Sequence, residues 1–458
     1  MRYTVPDYYK SFKCIAGDCP ATCCAGWQIV IDDAALKKYT KLAGIRRIKK
    51  GQPVMNKKGG TPFGSRLANS IDWENQTFLQ YAGRCAFLDE RNLCDIYTEA
   101  GPQFFCKTCR NYPRHIEEFE NEREVSLSLS CPVVARMLLD RMESVKFVSR
   151  ETPEEEQEEE FDEFLYFMLQ DCRSVMFEIL QNREKPIAFR MAKVLALAHD
   201  VQNRIDARAM FEIETVLERY QREGADEVLS RKLGRYLGNE EHQSAANQET
   251  GGGRKRALER QADTGNQHVR MMLRKNLMEL LDELEILDSS WPEQLRIYKK
   301  VLYGKGAAAY EKLAADLEKQ MPWKEIEAEQ LMVYFLFTYF CGAVYDGDAL
   351  AKVKLAAVST LLIQEMELAA MAAGTDGEEV AGTGAEPGSE EDGGENDQEC
   401  AAGNRYGVSL EDRARIAWRF SRELEHSDQN LDTMEELMNE SGAADFEALL
   451  RCILATVV

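Results

Sequence analysis

Phe12 to Trp27 reads FKCIAGDCPATCCAGW, with Cys14, Cys19, Cys23 and Cys24 inside eleven residues. Cys85 and Cys94 follow in RCAFLDERNLCDIY, Cys106 and Cys109 in FFCKTCRNYPR, and Cys131 in LSLSCPVV. Nine of the 13 cysteines therefore stand in the first third of the chain, while Cys172, Cys341, Cys400 and Cys452 stand singly. Thiolates are soft ligands, and four of them suit zinc or an iron–sulfur cluster. A stretch this dense in thiols is expected to fold around what its sulfurs hold.

Outward from this stretch the pattern changes. GWQIVID after the first cluster reads as a strand or strand-like turn, DAALKKYTKLAGIRRIKK (33–50) as a short helix, and 51–75 as a Gly/Pro/Asn-rich loop. EREVSLSLSCPV alternates apolar and polar positions, as a half-buried strand does, and VVARMLLDRMESV then turns helical. From Phe161 onward Leu, Met, Phe and Val recur at spacings of three and four, the helical period. The expected architecture is mainly α. A small irregular Cys-rich metal-binding domain with short strands (1–150) precedes an all-helical body (161–373) carrying a polar insert at 238–267. A disordered, acidic, Gly-rich linker spans 374–405, because it has too little apolar area to order itself. Two helices, 409–426 and 431–458, close the chain within a last segment, 406–458, that packs on the body.

Charge follows the same division. Residues 1–150 hold 23 Lys and Arg against 17 Asp and Glu, a balance of +6, and the remainder carries −28 of the net −22. An acidic body argues for solubility or for steering a basic, lysine-bearing partner, and against nucleic acid. No signal peptide is visible in MRYTVPDYYK. The longest apolar run, Leu331 to Tyr345, is shorter than the roughly 20 residues a spanning helix needs, so it reads as a buried core helix and no membrane insertion is expected. In a reducing compartment, clustered cysteines bind metal or do redox chemistry more often than they form disulfides.

Spacing narrows the chemistry. Only one C-x2-C is present, Cys106 and Cys109, so a two-knuckle zinc ribbon is not the simplest reading. The first cluster is C-x4-C-x3-C-C, which does not match the C-x3-C-x2-C of radical S-adenosylmethionine enzymes. Adjacent Cys23 and Cys24 are hard to place on one metal, so one of them is free for a second site or for the core. Nine thiols allow one four-thiolate site with spares, or two sites. Cys172, Cys341 and Cys452 read as small buried hydrophobes, and Cys400, in the acidic linker, as inert. A thioredoxin-like role for Cys106–Cys109 lacks the βαβ setting, and Pro113 argues against a long helix there. His115 is either a ligand or the cap of a turn, and His426 falls at the last turn of a helix. Tyr97, Arg110, Asn111, Tyr112 and Arg114 surround the second cysteine block, either supporting it or binding an anionic or polar cosubstrate. GGG at 251–253 has no strand before it and is no dinucleotide loop.

YYKSFKCIAGDCPATCCAGWQIVID, RCAFLDERNLCDIYTEAGPQFFCKTCRNYPR and the late FSRELEHSDQNL together resemble the flagellin lysine-N-methylases. The two Cys blocks alone are also similar to a broader group of zinc- or iron-chelating Cys-cluster domains. The resemblance implies a cytoplasmic enzyme that moves methyl groups from S-adenosylmethionine to the ε-amines of flagellin lysines. It implies a 4Fe–4S cluster held among Cys14, Cys19, Cys23, Cys24, Cys85, Cys94, Cys106 and Cys109, with Cys131 less firmly included. Beside the second block, Tyr97 and Tyr112 are candidate proton acceptors for the lysine, and Arg110, Asn111 and Arg114 candidate cofactor-binding residues. The competing reading is a non-catalytic protein that chelates zinc or iron, and a weaker third is a thiol oxidoreductase.

Overall fold

The computed structural model describes residues 1–55, 61–153, 162–236, 269–321, 324–376 and 408–455. The polar insert at 238–267, Cys400 and all but the first three residues of the expected acidic linker lie outside them.

The fold is mainly α, with short strands confined to the N-terminal region. Apolar side chains gather into two cores. The smaller one holds Ile29, Ile31, Tyr39, Leu67, Phe78, Phe87, Ile96 and Cys106. The larger takes in Tyr8, Phe119, Leu127, Cys131 and the apolar faces of the helices from Leu165 to Leu454. A four-stranded sheet joins them in sequence. Arg2–Pro6 pairs antiparallel with Phe147–Glu151 and parallel with Glu122–Leu127, which pairs antiparallel with Arg114–Phe119. EREVSL is thus the strand its alternation predicts.

Several local readings change. Helix Asp33–Leu42, capped by the Asp32 carboxylate on Ala35 N–H, stops at Gly44 with φ +68°, a conformation that glycine adopts at no steric cost. Ile45–Lys49, expected to be helical, forms a hairpin with Gln52–Met55, because its isoleucines favour a pleated surface. The expected loop 51–75 contains helix Pro62–Asn69, capped by Thr61. GWQIVID is no strand, having a single bridge, Val30 to Thr77. Residues 374–376 still belong to helix Ala349–Asp376, and the tail forms three helices, Leu410–Glu425, Asp428–Glu440 and Phe446–Leu454.

Helices Lys324–Tyr339 and Ala349–Asp376 form the centre of the body. Their described side chains are buried nearly all round, as expected of helices without a polar face. Ala349–Ala373 is long and apolar enough to cross a membrane, yet 89% of that window is buried inside the protein. Several of the charges enclosed here are paired, whereas burial holds the Glu367 carboxyl well above its ordinary pKa. Arg173 bonds Glu124, Arg190 and Arg183 share Glu329, and Arg413 bonds Glu327. Helix Leu410–Glu425 packs against Pro132–Leu139, the helix that Cys131 precedes. This brings the C-terminal part of the chain onto the Cys-rich head.

Candidate metal centre and active site

Backbone hydrogen bonds bring the first cysteine block to the second. Cys85 N–H donates to Cys24 O at 2.8 Å and Gly26 N–H to Gly83 O at 2.9 Å, with Ala25 bridging Arg84. A tight turn held by Asp89, whose Oδ1 accepts Leu93 N–H at 2.8 Å, returns Cys94 opposite Leu88. Asp32 holds the third group. Besides capping its own helix it accepts Lys107 N–H at 2.6 Å, while Thr108 Oγ1 donates to Val30 O at 2.9 Å. Cys106 caps the short helix Lys107–Asn111, its sulfur accepting Cys109 N–H at 3.5 Å.

Cys131 comes from the other direction. Arg422, on helix Leu410–Glu425, donates to Ala21 O at 2.8 Å and to Ser130 O at 3.1 Å, drawing the loop between Cys19 and Cys23 to Cys131. The result is one cavity of about 520 Å³ lined by Cys14, Cys19, Cys23, Cys24, Cys94, Cys109 and Cys131. Cys85 and Cys106 are outside its lining and buried in the smaller core. The three scattered cysteines within the described residues, Cys172, Cys341 and Cys452, are buried in the larger core.

Two thiol pairs are polarised. The Cys23 thiol hydrogen-bonds Cys24, lowering Cys24 to about 7 and pushing Cys23 well up. The Cys109 thiol likewise lowers Cys106 and is itself raised. Burial lifts Cys94 to about 11 and Cys85 to about 12, and also raises Cys19 and Cys131. Most of these sulfurs hold their protons until a metal displaces them, as thiol ligation requires.

In kind and number these donors fit a thiolate-bound group, since four cysteines hold a zinc ion or an iron–sulfur cluster. Among the described residues, however, no three His, Cys, Asp or Glu side chains converge tightly enough to hold a single ion.

The other sequence candidates divide. Tyr97, Arg110, Tyr112 and Arg114 line the cavity and Asn111 does not. Tyr97 is exposed and stacks on Phe105 at 5.9 Å. The Tyr112 hydroxyl lies 3.1 Å from Ser130 Oγ, and burial pushes its pKa up, which works against its taking a proton as phenolate. Arg110 donates to Phe105 O at 3.0 Å, and Arg114 donates to the Tyr9 hydroxyl at 2.9 Å. His115 is outside the cavity lining and pairs with Glu117 at 2.5 Å.

Sequence reasoning missed His426 and Arg422. His426 does end a helix, as read, but its ring lies 4.7 Å from Trp27 and 6.0 Å from Tyr112, both on the cavity wall. The one available signal was that RELEH stood in the third stretch of family resemblance.

Residues 173–452 match the family model of the FliB lysine N-methylase C-terminal domain. The chain belongs to the FliB lysine N-methylase family. Its class is accordingly a methyltransferase, as the sequence resemblance led us to expect. In this FliB-family chain, residues 13–132 match a second model, described as "Putative zinc- or iron-chelating domain", so the head is of the metal-chelating type. The flagellar biosynthetic protein FliU of Salmonella muenchen is 32% identical over 139 residues, which are 30% of this chain and 76% of that protein. Lysine-N-methylases of Salmonella choleraesuis and Salmonella typhimurium are each 32% identical over 139 residues. There the match spans 32% of the relative's length, about a third. No solved structure matches the chain.

Proposed function

We infer that this FliB-family chain methylates lysine ε-amines of flagellin in the cytoplasm, with S-adenosylmethionine as methyl donor and a 4Fe–4S cluster held by cysteines of the head. The observation that carries the reading is the thiol-lined cavity of about 520 Å³, two of whose wall residues, Ala21 and Trp27, are contacted by Arg422 and His426 of the methylase domain. The lining comes from residues 12–133, and the methylase domain touches it through Arg422 and His426. The names of the relatives, lysine-N-methylase and flagellar biosynthetic protein, support the substrate.

The chemistry needs a neutral amine. A lysine ammonium has an unperturbed pKa near 10.4 and must lose a proton first. The apolar part of the wall, with Phe12, Trp27 and Phe105, disfavours the charged form, and the guanidinium groups of Arg110 and Arg114 repel it. Tyr97, exposed on the same wall, is the candidate to receive the proton. The amine lone pair then forms the N–CH3 bond as the S–CH3 bond of the sulfonium donor breaks, and the sulfur keeps that electron pair as a neutral thioether. A thiolate-bound iron cluster, when present, supplies a one-electron or Lewis-acidic centre beside this wall.

The test is flagellin incubated with anaerobically purified protein and S-adenosylmethionine, read by mass spectrometry for whole-methyl shifts on lysines. Unmodified flagellin in the presence of fully metal-loaded protein overturns the reading. It would favour the alternative, a non-catalytic zinc- or iron-chelating protein, for which the match of residues 13–132 is the supporting observation.

A further inference from the structure

We propose that the sheet edge formed by Arg114–Phe119 is the docking surface for the protein substrate. An extended segment of that substrate adds to the edge as a further strand and so carries its lysine into the thiol-lined cavity. The proposal rests on the methylation reading just given and says how the substrate is held.

The sheet runs Phe147–Glu151, Arg2–Pro6, Glu122–Leu127 and Arg114–Phe119, so the last of these pairs on one side only. Along an antiparallel pair, residues that exchange backbone bonds alternate with residues that do not. Ser128 N–H donates to Pro113 O at 2.6 Å. From there the register runs without a shift through His115–Ser126 and Glu117–Glu124 to Phe119–Glu122, the pairs that carry the hairpin's bonds. The N–H and C=O groups of Arg114, Ile116 and Glu118 therefore point out of the sheet. The Tyr345 hydroxyl agrees with this direction, because it donates to Glu118 O at 2.7 Å from outside. The other outward groups, from Arg114 to the Glu118 N–H, have no hydrogen-bond partner among the described residues. Such a row is a template for another strand, and Arg114–Phe119 has no Pro, Lys or bulge to block one.

Position indicates the occupant. Tyr112, Pro113 and Arg114 line the cavity, so the edge begins at the cavity wall. At its far end the Tyr345 hydroxyl already holds the last carbonyl, and its ring stacks on Phe119 at 6.0 Å. The ladder is thus open toward the cavity and closed away from it. Glu117 and Glu118, with side chains 27% and 49% exposed, give the strand an acidic surface that suits a lysine-bearing segment. In strand addition the main-chain bonds supply the affinity, which leaves the side chain at the end of the paired segment free to enter the cavity. The opposite edge, Phe147–Glu151, contributes nothing to the cavity lining and is the natural control.

The experiment uses full-length, metal-loaded protein purified without oxygen, with flagellin as the probe. Proline is tolerated in an edge strand where the N–H faces outward. Ile116→Pro removes one outward donor and leaves the hairpin's bonds intact. Ser149→Pro does the same on the opposite edge, where Ser149 N–H faces out by the same alternation. Ile116→Pro is expected to raise KM for flagellin at least ten-fold with kcat within about two-fold, and Ser149→Pro to change neither. An unchanged KM in folded Ile116→Pro, or an equal rise in Ser149→Pro, overturns the proposal. Should Ile116→Pro fail to fold, site-resolved amide exchange of the native chain decides. The Ile116 and Glu118 amides should exchange at least ten-fold more slowly with flagellin bound, with Ser149 unchanged, and equal rates overturn the proposal. Slowed amides without methylation would sink the functional reading and keep the docking edge, whereas methylation with unslowed amides would do the reverse.

Discussion

The imidazole of His426 lies 4.7 Å from the indole of Trp27, centroid to centroid, at an interplanar angle of 30°. The two residues are almost 400 positions apart in the chain. One ends a helix of the methylase domain, and the other follows the first cysteine cluster and donates its indole N–H to Cys23 O at 2.8 Å. Replacing Trp27 by Ala removes this ring contact, the one with Tyr112, and the bond to Cys23. We expect a loss of about 1–3 kcal/mol, below the range for a fully buried Trp because Trp27 is half-buried, measured by denaturant unfolding. Alkylation of Cys23 should accelerate in the same variant.

His426 also makes stability depend on pH. Burial first, and the Arg422 charge second, hold its pKa down at about 3 from an ordinary 6.5, and its Nε2 is buried with no hydrogen-bond partner among the described residues. The folded value is below the unfolded one, so this contribution is complete above pH 6.5. It is lost as pH falls from 6.5 toward 3, at up to about 1.4 kcal/mol per unit. His426→Gln should flatten stability between pH 6.5 and 4.5 relative to the native chain. Parallel curves would show that another group is responsible.

Arg422 joins the loop between Cys19 and Cys23 to the strand end through two carbonyls and lies over the Trp418 ring at 4.8 Å. Arg422→Ala leaves both acceptors without that donor, at a cost of about 1–3 kcal/mol. Faster alkylation of Cys19 and Cys131 is expected, with Cys106 and Cys109 unaffected. Equal acceleration at all four would mean that the whole head loosens.

Glu124 and Arg173 form a buried ion pair between the sheet and helix Glu163–Gln181, with Arg173 also donating to Phe337 O at 3.2 Å. Removing one partner leaves a charge without water. Arg173→Met should cost about 3–5 kcal/mol, and the double change with Glu124→Leu should recover much of it. Paired denaturation curves provide the check.

Tyr97 and Tyr112 separate by burial. Tyr112→Phe should leave methylation within a few-fold, because burial raises its pKa and its hydroxyl is engaged with Ser130. Tyr97→Phe should lower turnover by about 100-fold if Tyr97 takes the lysine proton. Unchanged turnover removes it from that role.

Much of the secondary structure was legible because it depends on local repetition. The three-and-four spacing from Phe161 onward and the alternation in EREVSL each place apolar groups on one face, whatever the partner. Misreadings fell where non-local pairing decides. IRRIK reads as the end of the helix over 33–50, but its isoleucines suit a strand, and the returning QPVM supplies the partner that makes it a hairpin. IVID looks extended but finds one bridging partner.

By itself the sequence determined that the thiols cluster, that the body is helical, and which family the motifs resemble, because composition and period are local properties. Tertiary structure alone decided which thiols are neighbours. Cys24 and Cys85 are 61 positions apart and joined by a 2.8 Å backbone bond, whereas of the consecutive Cys23 and Cys24 only Cys24 packs against the smaller core. It also decided that His426 and Arg422, from the far end of the chain, contact two residues of the cavity wall, Trp27 and Ala21. Contact between distant segments depends on how whole layers pack, and no spacing within one segment encodes it.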